Sequence, residues 1–271
     1  MDKWKRGLAL AGAVFLLVIF CLPMYFALTG NFSMGVFMAS LATALFAAVM
    51  AYALWLVYRL LNKRKPGKNG GQIKNVIFDV GCVLVDFDWK TYLKSFGFSR
   101  EEEELIAKEV FKSDIWNERD RGLFGEEEYV RQFVERAPQY KKDIRRVLRD
   151  TPKTIGTRDY AKTWVKYLKK QGYHLYILSN YSEYMLEHTK SKMNFLKYMD
   201  GVVFSCEVKE LKPEPGIYKV LLETYGLNPK ECVFIDDREE NCRGAQKQGI
   251  RTVCFRNFKQ AAEALERLGV K

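Results

Sequence analysis

The sequence contains little of the chemistry that builds zinc or disulfide sites. Only His174 and His188 are histidines among the 271 residues, which argues against a zinc site with imidazole ligands. The six cysteines show no paired metal-binding spacing; they are Cys21, Cys82, Cys206, Cys232, Cys242 and Cys254. Three of them, Cys206, Cys232 and Cys254, lie in or beside apolar strand candidates. We interpret them as small buried hydrophobic residues in a reducing compartment.

Charge is missing from two long stretches near the amino terminus. Residues 7–28 and 36–58 are apolar and uncharged, and each has about the ~20 residues needed to cross a hydrocarbon core as a helix. Basic residues flank both outer ends, whereas the connection at 29–35 carries none. The pattern predicts a transmembrane hairpin in the lipid bilayer, with both termini and the following domain in the cytoplasm. A cleaved signal peptide is the alternative, although its apolar region is usually only ~7–15 residues long.

The excess of basic residues is concentrated in the same region. Of the 44 basic and 33 acidic residues, eight basic residues and one acidic residue precede position 71. The remainder is nearly balanced, so the net charge of +11 gives little support for nucleic acid binding. Residues 62–73 are rich in Gly and Lys and predict a flexible basic linker.

The rest of the chain predicts an α/β domain with a helical insert. Residues 76–78 form an apolar, β-branched stretch typical of a central parallel strand. Residues 89–158 predict a helical cap, with helices at 98–111, 126–135 and 141–150. From 159 onward helices and strands alternate, which predicts a parallel sheet with helices on both faces. The further strands are expected at 173–178, 201–205, 232–235 and 251–255.

Polar side chains follow four of the predicted strands. Asp79 follows the first, Ser179 ends the second, Lys212 comes just after the third, and Asp236 with Asp237 follows the fourth. Taken singly, each is also a common turn or helix-capping residue. Because parallel strands share one carboxyl edge, however, we expect these side chains to meet in one cleft.

The chemistry of these side chains is complementary. Paired carboxylates such as Asp79 and Asp236 suit Mg²⁺, which binds proteins through one or two carboxylates plus substrate phosphate. Lys212 adds a positive charge beside them, and Ser179 can donate to phosphate oxygens. An ionised aspartate in such a site can attack phosphorus and form an aspartyl phosphate, which water then hydrolyses.

Four motifs resemble those of the haloacid dehalogenase superfamily of hydrolases. They are FDVGCVLVDFD at 78–88, LSN at 178–180, LKPEPGIY at 211–218 and FIDDREEN at 234–241. A fifth stretch, ERDRGLFGEEEY at 118–129, resembles one common in the helical cap of that superfamily. The resemblance covers roughly residues 74–258. It implies a Rossmann-like five-stranded parallel sheet in the order 5-4-1-2-3, with the cap inserted after the first strand. The transmembrane hairpin predicted from the apolar stretches would precede this domain.

The resemblance also implies a role for each residue of the site. Asp79 would be the nucleophile and a Mg²⁺ ligand, and Lys212 would stabilise both the nucleophile and the phosphate. The remaining implied roles are phosphate binding by Ser179 and Asn180, metal binding by Asp236, Asp237 and the backbone carbonyl of Gly81, and a contribution from Asn241.

One position departs from the pattern of the superfamily. Most of its phosphatases carry a second Asp two residues after the nucleophile, as general acid and base, where this chain has Gly81. Positioned proton transfer contributes about 10²–10⁴-fold to rates, so another group is expected to supply it. The sequence candidates are Asp86, Asp88 and, in the predicted cap, Glu118. The alternative is that the natural leaving group needs no proton donor.

These features predict a membrane-anchored, Mg²⁺-dependent phosphatase that acts on a small phosphorylated metabolite. Two alternatives stay open. Gly81 also fits a catalytically weak, membrane-tethered binding or scaffold protein. A 2-haloacid dehalogenase of the same superfamily is disfavoured by Asp236 and Asp237, because such enzymes need no metal. The sequence gives no indication of an oligomeric state.

Overall fold

The computed structural model describes residues 71–271 and a few positions nearer the amino terminus. Those positions are Tyr25, Met34, Gly35, Met38, Ala42, Thr43 and Leu45. The chain divides into two units, Met1–Gly67 and Lys68–Lys271. All elements named below belong to the second unit.

The predicted membrane location is corrected by the structure. Among the described residues the longest helix is Asp159–Lys170, with 12 residues, well short of the ~20 that span a hydrocarbon core. No helix in this part of the chain is both long and apolar enough to cross a bilayer. This finding contradicts the predicted integral-membrane location with its bilayer anchor. The two predicted spans, 7–28 and 36–58, lie outside the described residues apart from the isolated positions named above.

The strands form a five-stranded sheet and a separate two-stranded ribbon. In chain order they are β1 Asn75–Phe78, β2 Val85–Phe87, β3 Ile155–Thr157, β4 His174–Ser179, β5 Gly201–Phe204, β6 Cys232–Asp236 and β7 Arg251–Cys254. The large sheet is parallel, with the order β5-β4-β1-β6-β7. If the five strands of this sheet are numbered 1 to 5 in chain order and the sheet is read from β7 to β5, the order is 5-4-1-2-3, as the resemblance implies. Each of its strands lies within two residues of the predicted bounds.

The helices of the described region lie in the insert and on the sheet. In chain order they are α1 Trp89–Lys94, α2 Arg100–Ile106, α3 Asp114–Arg121, α4 Glu126–Arg136, α5 Lys141–Asp150, α6 Asp159–Lys170, α7 Glu183–Thr189, α8 Ser205–Val208, α9 Pro215–Thr224, α10 Glu239–Lys247 and α11 Phe258–Arg267. A π-helical turn, Ala107–Phe111, continues α2. Short 3₁₀ turns occur at Pro138–Tyr140, Thr151–Thr154, Lys190–Lys192, Leu196–Tyr198 and Pro229–Glu231.

The central strand β1 is covered on both faces. Successive side chains of a strand point to opposite faces, so Val76 and Phe78 pack into one apolar cluster and Ile77 into another. The first cluster includes residues of α6 and α11, and the second includes residues of α9 and α10. All three β1 side chains are fully buried. The interior position of β1 therefore fixes where its carboxyl end, and the residue after it, lie.

Residues 89–154 form a helical insert that connects the two strands of the ribbon. Strands β2 and β3 pair antiparallel, with Val85 opposite Thr157 and Phe87 opposite Ile155. The helices α1 to α5 lie between them in sequence and have an apolar cluster of their own, which includes Phe133. The two ribbon strands were not predicted, because three residues are too few to show an alternating pattern.

Candidate active site

Asp79 lies at the carboxyl edge of the large sheet. Its N–H donates to the carbonyl of Ile235 at 2.9 Å, which extends the pairing of β1 with β6 by one residue. Its carboxylate Oδ1 accepts from the N–H of Val80 at 2.7 Å. Burial raises the pKa of Asp79, Lys212 opposes the rise, and the charge of Asp236 adds to it. The direction of the carboxylate is thus fixed by the Val80 N–H, and its pKa is set by burial and by the charges of Lys212 and Asp236.

Lys212 brings the two central acids together. Its Nζ lies 2.9 Å from Oδ1 of Asp79 and 2.7 Å from Oδ2 of Asp236. Burial lowers the pKa of Lys212, but the charges of Asp236 and Asp79 outweigh it, and the net shift is upward. The side chain is therefore an ammonium throughout the neutral range and provides a fixed positive charge between the two acids.

Asp236 ends strand β6 and Asp237 follows it, and the two acids have different surroundings. Asp236 is fully buried, and its oxygens accept from Asn241 Nδ2 at 3.0 and 3.1 Å and from the N–H of Arg238 at 2.8 Å. Asp237 instead faces a cavity. Burial, followed by the charge of Asp236, raises the pKa of Asp237. Sequence reasoning gave both residues one role, whereas the structure separates a bonded, interior acid from an accessible one.

The donor set fits a hard divalent cation. One oxygen from each of Asp79, Asp236 and Asp237 lies within 4.8 Å of the others. Three carboxylates face one ammonium, so the cluster carries more negative than positive charge in a largely buried place. Carboxylate oxygens are the ligands that Mg²⁺ prefers, and a divalent cation would offset the excess charge.

Ser179 ends β4 and Asn180 follows it, and their side chains make different contacts. The Ser179 hydroxyl is buried and lies near enough to Asp79 to favour its ionised form, yet it has no hydrogen-bond partner among the described residues. Asn180 uses both ends of its amide on the backbone of Lys212, accepting its N–H at 2.8 Å and donating to its carbonyl at 3.0 Å. The Ser179 hydroxyl thus lies beside the Asp79 carboxylate, and the Asn180 side chain holds Lys212 in place.

A cavity of about 370 Å³ opens over these residues. From the sheet edge it is lined by Asp79, Gly81, Lys212 and Asp237, among others. Its other walls come from the insert and include Phe111, Trp116, Asn117 and Asp120. A Cβ placed at Gly81 would have no atom within 4 Å, so the space where a second aspartate is expected is open.

The three predicted proton donors lie elsewhere. Asp86 Oδ1 pairs with Arg158 Nε at 2.7 Å, and Asp88 caps α1 by accepting from the N–H of Thr91 at 3.0 Å. Both line a neighbouring cavity of about 880 Å³. The walls of the two cavities share Cys82 and Phe87. Glu118 pairs with Arg121 at 3.1 Å and is absent from the wall of the smaller cavity.

Asp120 is the acid in the cavity wall that sequence reasoning missed. It lies in α3, within the recognised stretch at 118–129, only two positions beyond Glu118. At ~100° per residue, two positions turn a helix by about 200°. The two side chains therefore point to opposite sides, and only one can face the sheet edge. Helix α3 buries few side chains, Ile115 and Arg119, so the sequence gave no apolar stripe from which to orient it.

The end of α3 is attached to the core beside Lys212. Arg121 forms two hydrogen bonds with Glu214, at 2.9 and 2.6 Å. Ser205 Oγ donates to the carbonyl of Asp120 at 2.5 Å, and Lys209 Nζ donates to the carbonyl of Gly122. These contacts fix the position of the end of α3 relative to the core.

Gly122 ends α3 in a conformation that few other residues tolerate. Its φ is +70°, and a Cβ there would lie 3.1 Å from Cβ of Cys206. We expect Gly122→Ala to lower the free energy of unfolding by more than the ~1–2 kcal/mol typical of left-handed backbone, because the contact adds to the strain. Thermal unfolding of the purified chain measures the loss.

The matched control for this substitution is Gly97→Ala. Gly97 has the same φ of +70° but no atom within 4 Å of its Cβ position, so the control carries the backbone strain alone. Equal losses in the two variants would contradict the close packing of α3 against α8.

Comparison with known proteins agrees with the fold and indicates the family. Residues 73–249 match the model of a haloacid dehalogenase-like hydrolase family. The chain is 26% identical over 195 residues to the chloroplastic flavin mononucleotide hydrolase 1 of Arabidopsis thaliana, spanning 72% of this chain and 77% of that protein. It is 22% identical over 192 residues to D-ribitol-5-phosphate phosphatase of Bacteroides thetaiotaomicron, spanning 66% and 90%.

A solved structure shows the same likeness. A HAD family enzyme from Bacteroides thetaiotaomicron, in complex with magnesium and inorganic phosphate, is 28% identical, with a TM-score of 0.54 over 68% of this chain and 94% of that one. The family match covers well over half of the chain and includes every residue of the acid–lysine cluster. The protein therefore belongs to the haloacid dehalogenase-like hydrolases and is an enzyme with phosphatases among its relatives.

Proposed function

We propose that the protein is a Mg²⁺-dependent phosphatase that hydrolyses a small phosphorylated metabolite through an aspartyl phosphate on Asp79. The observation that carries the proposal is the meeting of Asp79, Asp236 and Asp237 with Lys212 at one sheet edge. An unpaired buried hydroxyl, Ser179, lies beside them. The set combines a nucleophile, a cation site and donors for phosphate oxygens.

The metal site would be built from Asp79, the carbonyl of Gly81, Asp236 and Asp237. When bound, Mg²⁺ supplies positive charge to the phosphate oxygens and offsets the repulsion between the phosphate and the carboxylates. Asp237, like Asp79, lines the cavity. Asp236, held by Asn241 and Lys212, also keeps the ammonium in place.

The reaction has two displacement steps. In the first, an oxygen of Asp79 attacks phosphorus and the bond to the leaving alcohol breaks. In the second, water attacks the same phosphorus, the bond to Asp79 breaks, and inorganic phosphate leaves. Lys212 and Ser179 donate to phosphate oxygens in both steps, where preorganised donors are most effective. Asn180 acts indirectly, because its amide fixes the backbone of Lys212.

Relatives and cavity size support a small substrate. Flavin mononucleotide hydrolase and D-ribitol-5-phosphate phosphatase are named for phosphate monoesters of small molecules. The cavity of about 370 Å³ is within the ~300–1,000 Å³ usual for small-molecule sites. Metal-binding acids after β6 argue against a metal-free haloacid dehalogenase.

Gly81 also fits a second candidate function. In this alternative the protein binds a phosphorylated ligand and hydrolyses it slowly. It differs from the phosphatase in rate but not in binding.

The test is phosphate release by the purified full-length chain. We expect release from p-nitrophenyl phosphate and flavin mononucleotide after Mg²⁺ is added to metal-depleted protein, and none in chelator. Asp237→Asn should raise the Mg²⁺ concentration needed, whereas Asp86→Asn, which lies on the neighbouring cavity, should leave it unchanged. Release that is independent of metal, or no release from any phosphate monoester, would contradict the proposal.

A further inference from the structure

We propose that Asp120, on helix α3 of the insert, is the proton donor to the leaving alcohol and the proton acceptor for the attacking water. The inference rests on the proposed phosphatase activity and names the group that replaces the aspartate absent at Gly81. The observation behind it is a carboxyl group in the cavity wall, held over the catalytic edge by core contacts.

The residues that line the cavity limit which carboxyl group can donate the proton. Among the described residues, its wall contains three carboxyl groups, those of Asp79, Asp120 and Asp237. Asp79 is assigned as the nucleophile and Asp237 as a metal ligand. Asp120 is the one without a role, and it approaches from the insert. A leaving group points away from the nucleophile in a displacement at phosphorus, so its oxygen is directed toward the insert side.

The backbone around Asp120 is fixed relative to the core. The carbonyl of Asp120 accepts from Ser205 Oγ, and the next residue, Arg121, is bound to Glu214. Glu214 follows Lys212 by two positions. The donor and the ammonium are therefore attached to a common stretch of chain, which meets the need for precise placement of a proton donor.

The surroundings of Asp120 bring its pKa into the neutral range. Burial raises its pKa to about 7, Arg119 opposes the rise, and Asp79 adds to it; the Ser182 backbone N–H and Arg238 also lower it. General acids work best when the pKa lies near the working pH. Asp120 can thus be protonated when the alcohol leaves and ionised when water attacks.

Arg119 does not neutralise Asp120 by pairing with it. Its guanidinium binds Glu126 through two hydrogen bonds, at 2.9 and 2.6 Å, and lies over the rings of Trp116 and Tyr184. The adjacent arginine is thus engaged with Glu126 and the two rings.

Three further protic side chains of the wall, those of Cys82, Tyr181 and Ser182, are poorly suited to this role. Burial raises the pKa of the Cys82 thiol to about 12, too weak an acid for this role. Burial also raises the pKa of Tyr181, whose hydroxyl is 2.8 Å from Thr189 Oγ1. Ser182 Oγ accepts from the N–H of Met185 as the cap of α7.

The proton balance closes over one turnover. As Asp79 bonds to phosphorus, the bond from phosphorus to the alcohol oxygen breaks, and that oxygen keeps the electron pair and takes the proton of Asp120. The resulting carboxylate then accepts a proton from water as the water oxygen bonds to phosphorus and Asp79 is released. Asp120 ends the cycle protonated.

The test compares Asp120→Asn with wild type on two substrates. An alkyl phosphate needs a proton on its leaving oxygen, whereas p-nitrophenyl phosphate releases a stable phenolate. We expect kcat/KM for the alkyl ester to fall by about 10²–10⁴-fold and that for the aryl ester to change much less. This ratio reports the acid step, because kcat/KM does not include hydrolysis of the phosphoenzyme.

The matched control is Glu118→Gln, which removes a carboxylate from the same helix but outside the cavity. It should leave the alkyl-to-aryl ratio unchanged. Wild type should lose kcat/KM on the alkyl ester as pH rises above about 7, since the donor then lacks its proton, and Asp120→Asn should not show this fall. Inorganic phosphate should bind both forms with similar affinity, which shows that the variant keeps its site.

A rescue experiment separates proton transfer from pocket shape. Because the Cβ position of Gly81 is open, adding Gly81→Asp to Asp120→Asn should restore much of the lost alkyl activity. Equal losses on both esters, or no recovery with Gly81→Asp, would overturn the role of Asp120. Wild type that hydrolyses neither ester would instead overturn the proposed function itself.

Discussion

Replacing Asp79 by Asn should abolish turnover of every phosphate ester. Removing a covalent nucleophile costs on the order of 10⁶-fold in kcat in a well-studied serine hydrolase, and we expect a loss of comparable scale here. The amide has the same shape as the carboxylate but cannot attack phosphorus. Because burial disfavours the charge of Asp79, the substitution should not lower the free energy of unfolding.

The measurement is steady-state phosphate release together with thermal unfolding. Asp86→Asn serves as the control, because Asp86 also precedes the insert but pairs with Arg158 outside the smaller cavity. A folded Asp79→Asn protein with more than a trace of wild-type activity would contradict the assignment of the nucleophile.

Replacing Lys212 by Met should impair both activity and stability. The ammonium contacts Asp79 and Asp236, and its side chain is only 1% exposed. Breaking a buried ion pair by removing one partner costs about 3–5 kcal/mol, and here two carboxylates lose the same partner. Loss of one preorganised donor to the reacting oxygens should lower kcat by about 10²–10³-fold.

The controls separate the buried charge from the side chain itself. Lys219→Met changes an exposed lysine of α9 and should alter neither property. Adding Asp236→Asn to Lys212→Met removes one of the unpaired carboxylates and should recover part of the stability, so the two substitutions should be non-additive. Additive losses would argue against the direct pairing of Lys212 with Asp236.

The position of the candidate site residues at one edge of the sheet was predictable because each of its signals is local. Asp79, Ser179 and Asp236 each end a strand whose apolar residues are visible in sequence, and parallel pairing brings such ends together. Register then sets the distances, with Phe78 beside Ile177 on one side and Ile235 on the other. The family resemblance supplied the strand order.

The insert was less predictable because its information is not local. Strands β2 and β3 are short and pair over a long separation in the chain. Helices α1 and α3 show no regular apolar stripe, and what orients α3 is its set of contacts with residues around 205 and 214. The predicted donors Asp86, Asp88 and Glu118 were chosen by nearness in sequence, which does not reveal which face of a helix meets the cavity.

The most direct test of the central claim is mass spectrometry of the protein quenched in acid during turnover. With Mg²⁺ and p-nitrophenyl phosphate, the wild-type chain should carry one phosphoryl group, located on the peptide that contains Asp79. Asp79→Asn and metal-depleted protein should carry none. A phosphoryl group on another residue, or rapid turnover with no phosphorylated protein at any quench time, would contradict a covalent pathway through Asp79.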